Sequence, residues 1–368
     1  MKQVLSILLV ALGTISFGQL TTIPDGGNKK AMVSQRIGIT DVTIRYDRPG
    51  VKGREGKIWG GLVPFGFNDL GFGTSKQAPW RAGANESTTI EFSTDISFEG
   101  KPVPAGKYGF FIAVGKEEST LILSKNNTAW GSFFYDPKED QLRVMVKQQV
   151  MDHSEEWLKY EFTNPSDTSA VIALMWEKWL FPFKIQVDLV QTQLASFRKE
   201  LQTDKGFDWQ PWTQAAEWAA NKNVNLDEAL QWADYGISGQ FIGQKNFKTL
   251  RAKAAVLNKM GKQDEAAALM KEALPFGNEN EVHNYARQLL ASGDLKAATD
   301  AFKMNYKNHP NTFTTNMGMM RAMSANANYK EALKYLNAAM PQAPDPGNKS
   351  AMETMQKQLQ EGKDVNKK

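Results

Sequence analysis

The chain has 368 residues, beyond the roughly 250–300 at which a single core stops growing, so more than one domain is expected. Its net charge is only +4, and neither half carries the strongly basic balance of a nucleic-acid binder. There is no cysteine, which excludes disulfides, thiolate catalysis, Cys-ligated zinc and a lipid anchor on an N-terminal Cys.

Lys2 is the only charge before Asp25, Val4 to Ile15 is mostly apolar, and small residues follow at Ser16 and Gly18. A basic start, a short apolar stretch and small residues two apart are the parts of a secretory signal. The expectation is a signal peptide over 1–18, cleaved after Gly18. The apolar stretch is shorter than the ~20 residues of a bilayer span, which favours a signal over an anchor. A periplasmic or secreted protein with no membrane span after signal removal follows, and export argues further against nucleic acid.

Residues 25–190 read as an antiparallel β domain. Asp41–Tyr46 alternates, and Thr88–Ser93 puts Ile90 and Phe92 on one face. Ile96–Glu99, Tyr108–Val114, Thr120–Ser124, Leu142–Lys147, Leu158–Thr163, Ala170–Trp176 and Phe183–Leu189 follow, separated by turn residues. About nine short strands with little helical signal between them predict an all-β sandwich or barrel. The long segment Asp47–Pro79 is either functional or ordered by its own side chains.

After Asp188 the period changes. Val190, Leu194, Phe197 and Leu201 fall on one helical face, predicting a connecting helix over 190–202. From 210 to 342 the sequence repeats. Gly261–Ala266 is followed by Met270 and Ala273, Gly293–Ala298 by Phe302 and Asn305, and Ala327–Ala332 by Leu336 and Ala339. The alanines at 266, 298 and 332 are 32 and 34 residues apart, and a weaker copy surrounds Ala229. This resembles the tetratricopeptide repeat, an all-α array with a period of ~34 residues. Small residues let paired helices cross closely, while Met270 or Phe302 fills the space between pairs. Residues 343–368 read as a polar tail.

The β domain carries a further pattern: Tyr46-Asp47-Arg48-Pro49, Lys52-Gly53-Arg54, Ile58–Pro64, Trp80–Glu86, Pro104–Tyr108, Trp130-Gly131, Tyr135-Asp136 and Trp176-Glu177 in that order. Over roughly residues 25–190 it resembles the secreted bacterial domain-of-unknown-function family 2911, whose members often carry helical repeats after that domain. The resemblance implies no reaction. The insertion Phe67–Ala78 departs from the family's more direct run between Pro64 and Trp80.

Arg48, Lys52, Arg54, Trp59, Trp80, Arg81, Asn85 and Glu86 form the candidate ligand-binding set. Arginine grips carboxylates or phosphates with a planar fork, and tryptophan offers an apolar platform. One reading is a pocket for a small anionic or glycan-like ligand. The other is an ion-pair network of Asp47, Arg48, Arg81 and Glu86 pinning the long loop, with both tryptophans in the core.

No catalytic set is assigned. His153, His283 and His309 are too scattered for a metal triad, so no metal or cofactor is expected, and His153 reads as part of a solvated turn. Gly236–Gly239 lacks the spacing of a hydrolase elbow, and Lys52–Lys57 that of a phosphate loop. Met317, Met319, Met320 and Met323 either fill a core or line an adaptable surface. The leading expectation is an exported binding or scaffold protein whose repeats take a protein or peptide partner. The alternative is a periplasmic hydrolase acting on carbohydrate or peptide through the Arg81–Glu86 loop, with Glu86 and Glu177 as an acid–base pair at an unfixed separation. A purely structural role in an envelope assembly is a third.

Overall fold

The computed structural model describes residues 27–367, so the expected signal over 1–18 lies outside the described residues. The chain divides into two compact units at Thr192/Gln193.

In the first unit ten strands run in sequence among the described residues: β1 (Lys29–Ile37), β2 (Thr40–Arg48), β3 (Thr89–Phe92), β4 (Ile96–Phe98), β5 (Lys101–Val103), β6 (Gly106–Ala113), β7 (Glu118–Ser124), β8 (Asp140–Lys147), β9 (Gln149–Thr163) and β10 (Ser169–Gln186). They form a six-stranded sheet ordered β1-β2-β3-β6-β7-β8 and a four-stranded sheet ordered β5-β4-β10-β9. Every pairing between strands is antiparallel. Val42, Ile44, Phe92 and Phe110 from one sheet meet Phe98, Leu158, Trp176 and Phe183 from the other in a single buried cluster, which makes the unit a sandwich.

Period-two alternation fixes which side of each strand is buried. In β2 Val42, Ile44 and Tyr46 are buried while Thr43 and Arg45 between them are not. Two strands lie where the sequence reading placed none. β1 pairs with β2 along its whole length, from Lys29↔Arg48 to Ile37↔Thr40, yet of its inward residues only Ile37 is fully buried. β5 is the segment read as punctuation. The opposite error occurs in β10, whose two halves read as separate strands. They are one strand bent at Glu177, where the register with β9 shifts on both sides and the backbone turns left-handed (φ 51°).

The loop between β2 and β3 is ordered by hydrogen bonds within itself and to β6 and β9. Short bridges tie Gly50 to Trp157, Asn68 to Ala78 and Trp80 to Ile112. His153 lies on strand β9 and is exposed, with Asp152 2.6 Å away, rather than in a turn; consecutive charged residues at a sheet edge mimic loop composition.

The second unit is helical. α1 (Leu189–Glu200) brings Phe197 edge-on to Trp218 and Trp232. Antiparallel pairs follow: α2 (Trp209–Lys222) with α3 (Leu226–Ser238), α4 (Phe247–Lys259) with α5 (Gln263–Ala273), α6 (Glu279–Ser292) with α7 (Leu295–Asn308), and α8 (Phe313–Ala325) with α9 (Tyr329–Ala339). The first helix of the last three pairs starts with a capping box, at Asn246, Asn278 and Thr312. The repeat alanines 266, 298 and 332 are fully buried at the crossings. Packing between pairs is uneven. α4 lies against α2 and α3, and α8 against α6 and α7, whereas α5 and α6 share little contact.

Residues read as a polar tail contain instead a last helix, α10 (Pro346–Gln360), capped by Asp345. Its buried Met352 and Leu359 join Met317, Met320, Ala332 and Leu336 in one cluster. Two apolar residues a helical face apart are enough to dock it on α9, and the polar remainder covers the end of the array.

Candidate functional site

The candidate residues are carried by β2, by the long loop after it and by the approach to β3. The structure brings four of the eight together. Arg54, Trp80, Arg81 and Asn85 line one open cavity of about 340 Å³, with Asn28, Leu62, Pro64, Ser132 and Trp176 among its other walls. No carboxylate and no histidine among the described residues lines it.

The arginines act on backbone carbonyls. Arg48 Nε donates to Leu158 O at 2.7 Å. Arg54 donates through Nε to Val51 O and through Nη2 to Gly50 O, closing the turn it sits on. Arg81 Nη1 donates to Asn85 O at 2.5 Å, and its guanidinium lies 5.1 Å from the Phe133 ring centre. Burial holds the Arg81 pKa below that of a free arginine. The expected Asp47–Arg48–Arg81–Glu86 ion-pair network is therefore corrected: no such arginine–carboxylate pair exists among the described residues. Arginine's five donors suit an irregular loop, whose carbonyls lack strand partners.

The carboxylates use Lys30 of β1, which the sequence reading missed. Lys30 Nζ lies 2.7 Å from Glu86 Oε1 and 3.4 Å from Asp47 Oδ2. Glu86 thus faces a second surface depression of about 650 Å³ with Lys30, Asp47 and Arg45, apart from the first. The Lys30 hydrogen bond, aided by Asp47, holds the Glu86 pKa down at about 2. Asp47 goes the other way, raised by burial and then by Glu86 beside it.

Lys52 is exposed, in a left-handed turn (φ 52°) where its N–H donates to Glu156 Oε1. Trp59 belongs to an aromatic cluster rather than an exposed platform. It stacks on Trp179 at 5.0 Å and meets Trp80, Trp176 and Phe181 edge-on. Its Nε1 donates to Glu177 Oε2 at 3.2 Å, and Trp80 Nε1 donates to Gly83 O at 3.1 Å. Trp176, 1% exposed and stacked beside Trp80, has an Nε1 with no hydrogen-bond partner. The sequence reading passed over Trp176 as a site residue; the Trp176-Glu177 pair in the family pattern was the available signal.

In the helical unit a cleft of about 620 Å³ opens between the α4–α5 and α6–α7 pairs, where packing is sparse. Ala254, Ala266, Met270 and Ala301 floor it, and Arg251, Lys271 and Lys296 stand among its polar walls. Met317, Met319 and Met320 are buried, so that cluster fills the core. Nearby, His283 is held neutral. Burial, then Arg287 and Arg321, push its pKa down to about 4, and its Nδ1 has no partner. No helix among the described residues is long and apolar enough to cross a membrane, and no group of His, Cys, Asp or Glu there is placed to hold a metal.

No curated protein matches the chain. Over 46% of this chain and 87% of the other, at 19% identity and a TM-score of 0.29, it is similar to a solved structure titled "Crystal structure of YrrB: a TPR protein with an unusual peptide-binding site". The family model described as "Protein of unknown function (DUF2911)" matches residues 28–185, the span from β1 to the end of β10. The β sandwich thus coincides with the span that this family model matches, and a repeat-like array of paired helices follows it in the same chain.

Proposed function

We propose that the protein is an exported, non-catalytic binding or scaffold protein. Its β domain takes a small anionic or glycan-like ligand in the 340 Å³ cavity, and its helical array engages a protein or peptide partner. The observation that carries the ligand reading is the convergence of Arg54, Trp80, Arg81 and Asn85 on a cavity that, among the described residues, is walled by no acid and no histidine. Such a lining favours an anion and supplies neither the general acid nor the general base that hydrolysis of a glycoside or peptide requires. Glu86 opens on the other depression and Glu177 is buried against Trp59, so neither stands as a candidate acid or base there. The partner reading rests on stacked helix pairs and the cleft between the second and third of them.

The ligand reading is tested by placing Arg81→Ala in a calorimetric screen of sugars and small anions against the full chain. A folded variant that has lost a ligand bound by the parent supports the site, and an equal affinity removes it. The partner reading is tested by capture from envelope extract with and without residues 193–368. An unchanged set of captured proteins would remove it.

A further inference from the structure

We propose that Trp176 is a direct ligand donor in the β-domain cavity and that the ligand is a sugar acid, a hydroxylated ring bearing one carboxylate. This rests on reading the cavity as a binding site, and it adds a donor and the chemical class of the ligand.

Four indoles, those of Trp59, Trp80, Trp176 and Trp179, meet at this end of the sandwich, and two have their N–H groups satisfied within the protein. Trp59 donates to Glu177 Oε2 and Trp80 to Gly83 O. Trp176 alone among them has a buried Nε1 without a partner, and Trp176 is part of the cavity wall. Buried indole N–H groups are nearly always bonded, and leaving one unmade costs about 1–3 kcal/mol. That Nε1 is closed to solvent as the wall stands, so an acceptor in the cavity reaches it only as the wall yields, and then removes that cost.

The charge of the lining points to an anion. Arg54 and Arg81 both border the cavity, and neither pairs with a carboxylate among the described residues. The hydrogen bond to Asn85 O engages only Nη1 of Arg81, so Nε and Nη2 remain for a ligand. A desolvated guanidinium without a counter-charge is costly, and its planar fork matches a carboxylate in two places.

The neutral groups point to hydroxyls. Asn28 Nδ2 donates to Asn85 Oδ1 at 3.2 Å, which leaves one carboxamide acceptor on Asn28 and a donor on Asn85 at the same rim. A hydroxyl both donates and accepts, so it can serve both. A volume of about 340 Å³ lies at the small end of ligand pockets, which run from ~300 to 1,000 Å³, and suits one ring rather than a polymer.

The test is calorimetry of the full chain at low salt with glucuronate, glucose and inorganic phosphate, together with the ¹⁵N-indole resonance of Trp176. Glucuronate is expected to bind at least tenfold more tightly than glucose or phosphate and to shift the Trp176 indole signal. Trp176→Phe, which keeps the apolar bulk, is expected to weaken glucuronate about tenfold. Glucose or phosphate binding as tightly as glucuronate overturns the sugar-acid assignment while leaving the cavity a binding site. An unmoved indole resonance on glucuronate saturation overturns the role of Trp176, a readout that holds even if the variant fails to fold. No heat with any of the three overturns the sugar-acid inference; the cavity reading itself falls only if the wider screen of sugars and anions is also silent.

Discussion

Trp59 Nε1 donates to Glu177 Oε2 at 3.2 Å, joining the long loop after β2 to the bulge in β10. The same carboxylate accepts from Gly56 N at 3.3 Å and from Lys178 N at 2.7 Å. One buried side chain therefore holds the loop that shapes the cavity against the strand that carries Trp176. Glu177→Ala leaves these donors unmatched and should destabilise the β domain by about 2–4 kcal/mol, with Glu177→Gln less severe. Thermal melts followed by tryptophan fluorescence check this, and equal melting temperatures for parent and Glu177→Ala would refute it.

Gly131 has φ +63°, and a Cβ there would run into the Arg81 guanidinium. Gly131→Ala should displace Arg81 from Asn85 O and from Phe133, lowering stability by about 1–3 kcal/mol. Its melting temperature should fall together with any affinity that depends on Arg81.

The two carboxylates beside Lys30 should respond to pH with opposite signs. Glu86 has its pKa depressed to about 2 from an ordinary 4.5, so its contribution is complete above pH 4.5 and is lost as pH falls towards 2. Asp47 has its pKa raised, so it favours the folded state at low pH and loses that contribution as pH rises through the folded value. Asp47→Asn should therefore be neutral or stabilising at pH 7. Glu86→Gln should cost less than about 1 kcal/mol there, because the pair with Lys30 is solvent-screened, and should flatten the acid limb below pH 4.5. Urea titrations at pH 7, 4.5 and 3 separate the two.

His283 gives the helical unit its own acid sensitivity. With a folded pKa of about 4 against an ordinary 6.5, stability present above pH 6.5 drains away as pH falls through 4. The loss should reach at most roughly 3.5 kcal/mol, because each tenfold drop in proton affinity on folding is worth about 1.4 kcal/mol. His283→Gln should remove that slope in the helical signal by circular dichroism; an unchanged slope would assign it to other groups.

Removing residues 344–368 should uncover Met317, Met320 and Leu336. Met352→Ala alone should cost about 2–5 kcal/mol in the last repeat, as a large-to-small change in a packed core does. Hydrogen exchange localised to α8 and α9 would read it out.

Legibility in the sequence followed the strength of periodicity. The repeat spacing of Ala266, Ala298 and Ala332 is written in full because each alanine must fit a helix crossing. The alternation of β2 was as plain, because one face is core and the other is not. β1 escaped because its inward side is Ala31, Val33 and Gln35, partly buried at a sheet edge. α10 escaped because two core contacts in 15 residues leave a polar average. At the candidate site, residue types announced the cavity through Arg54, Trp80, Arg81 and Asn85. They could not announce that Arg48 would serve Leu158 O, or that Glu86 would turn to Lys30. Those outcomes depend on which backbone carbonyls and which neighbouring strand come near, and that is decided across the sheet.

The sparse packing between α5 and α6 divides the helical array into blocks that each keep their own apolar interior, with Leu274 shared by the clusters on either side. Bending at that seam strips little buried surface from either block. The 620 Å³ cleft should accordingly change its width at less cost than a separation of the packed helices within either block.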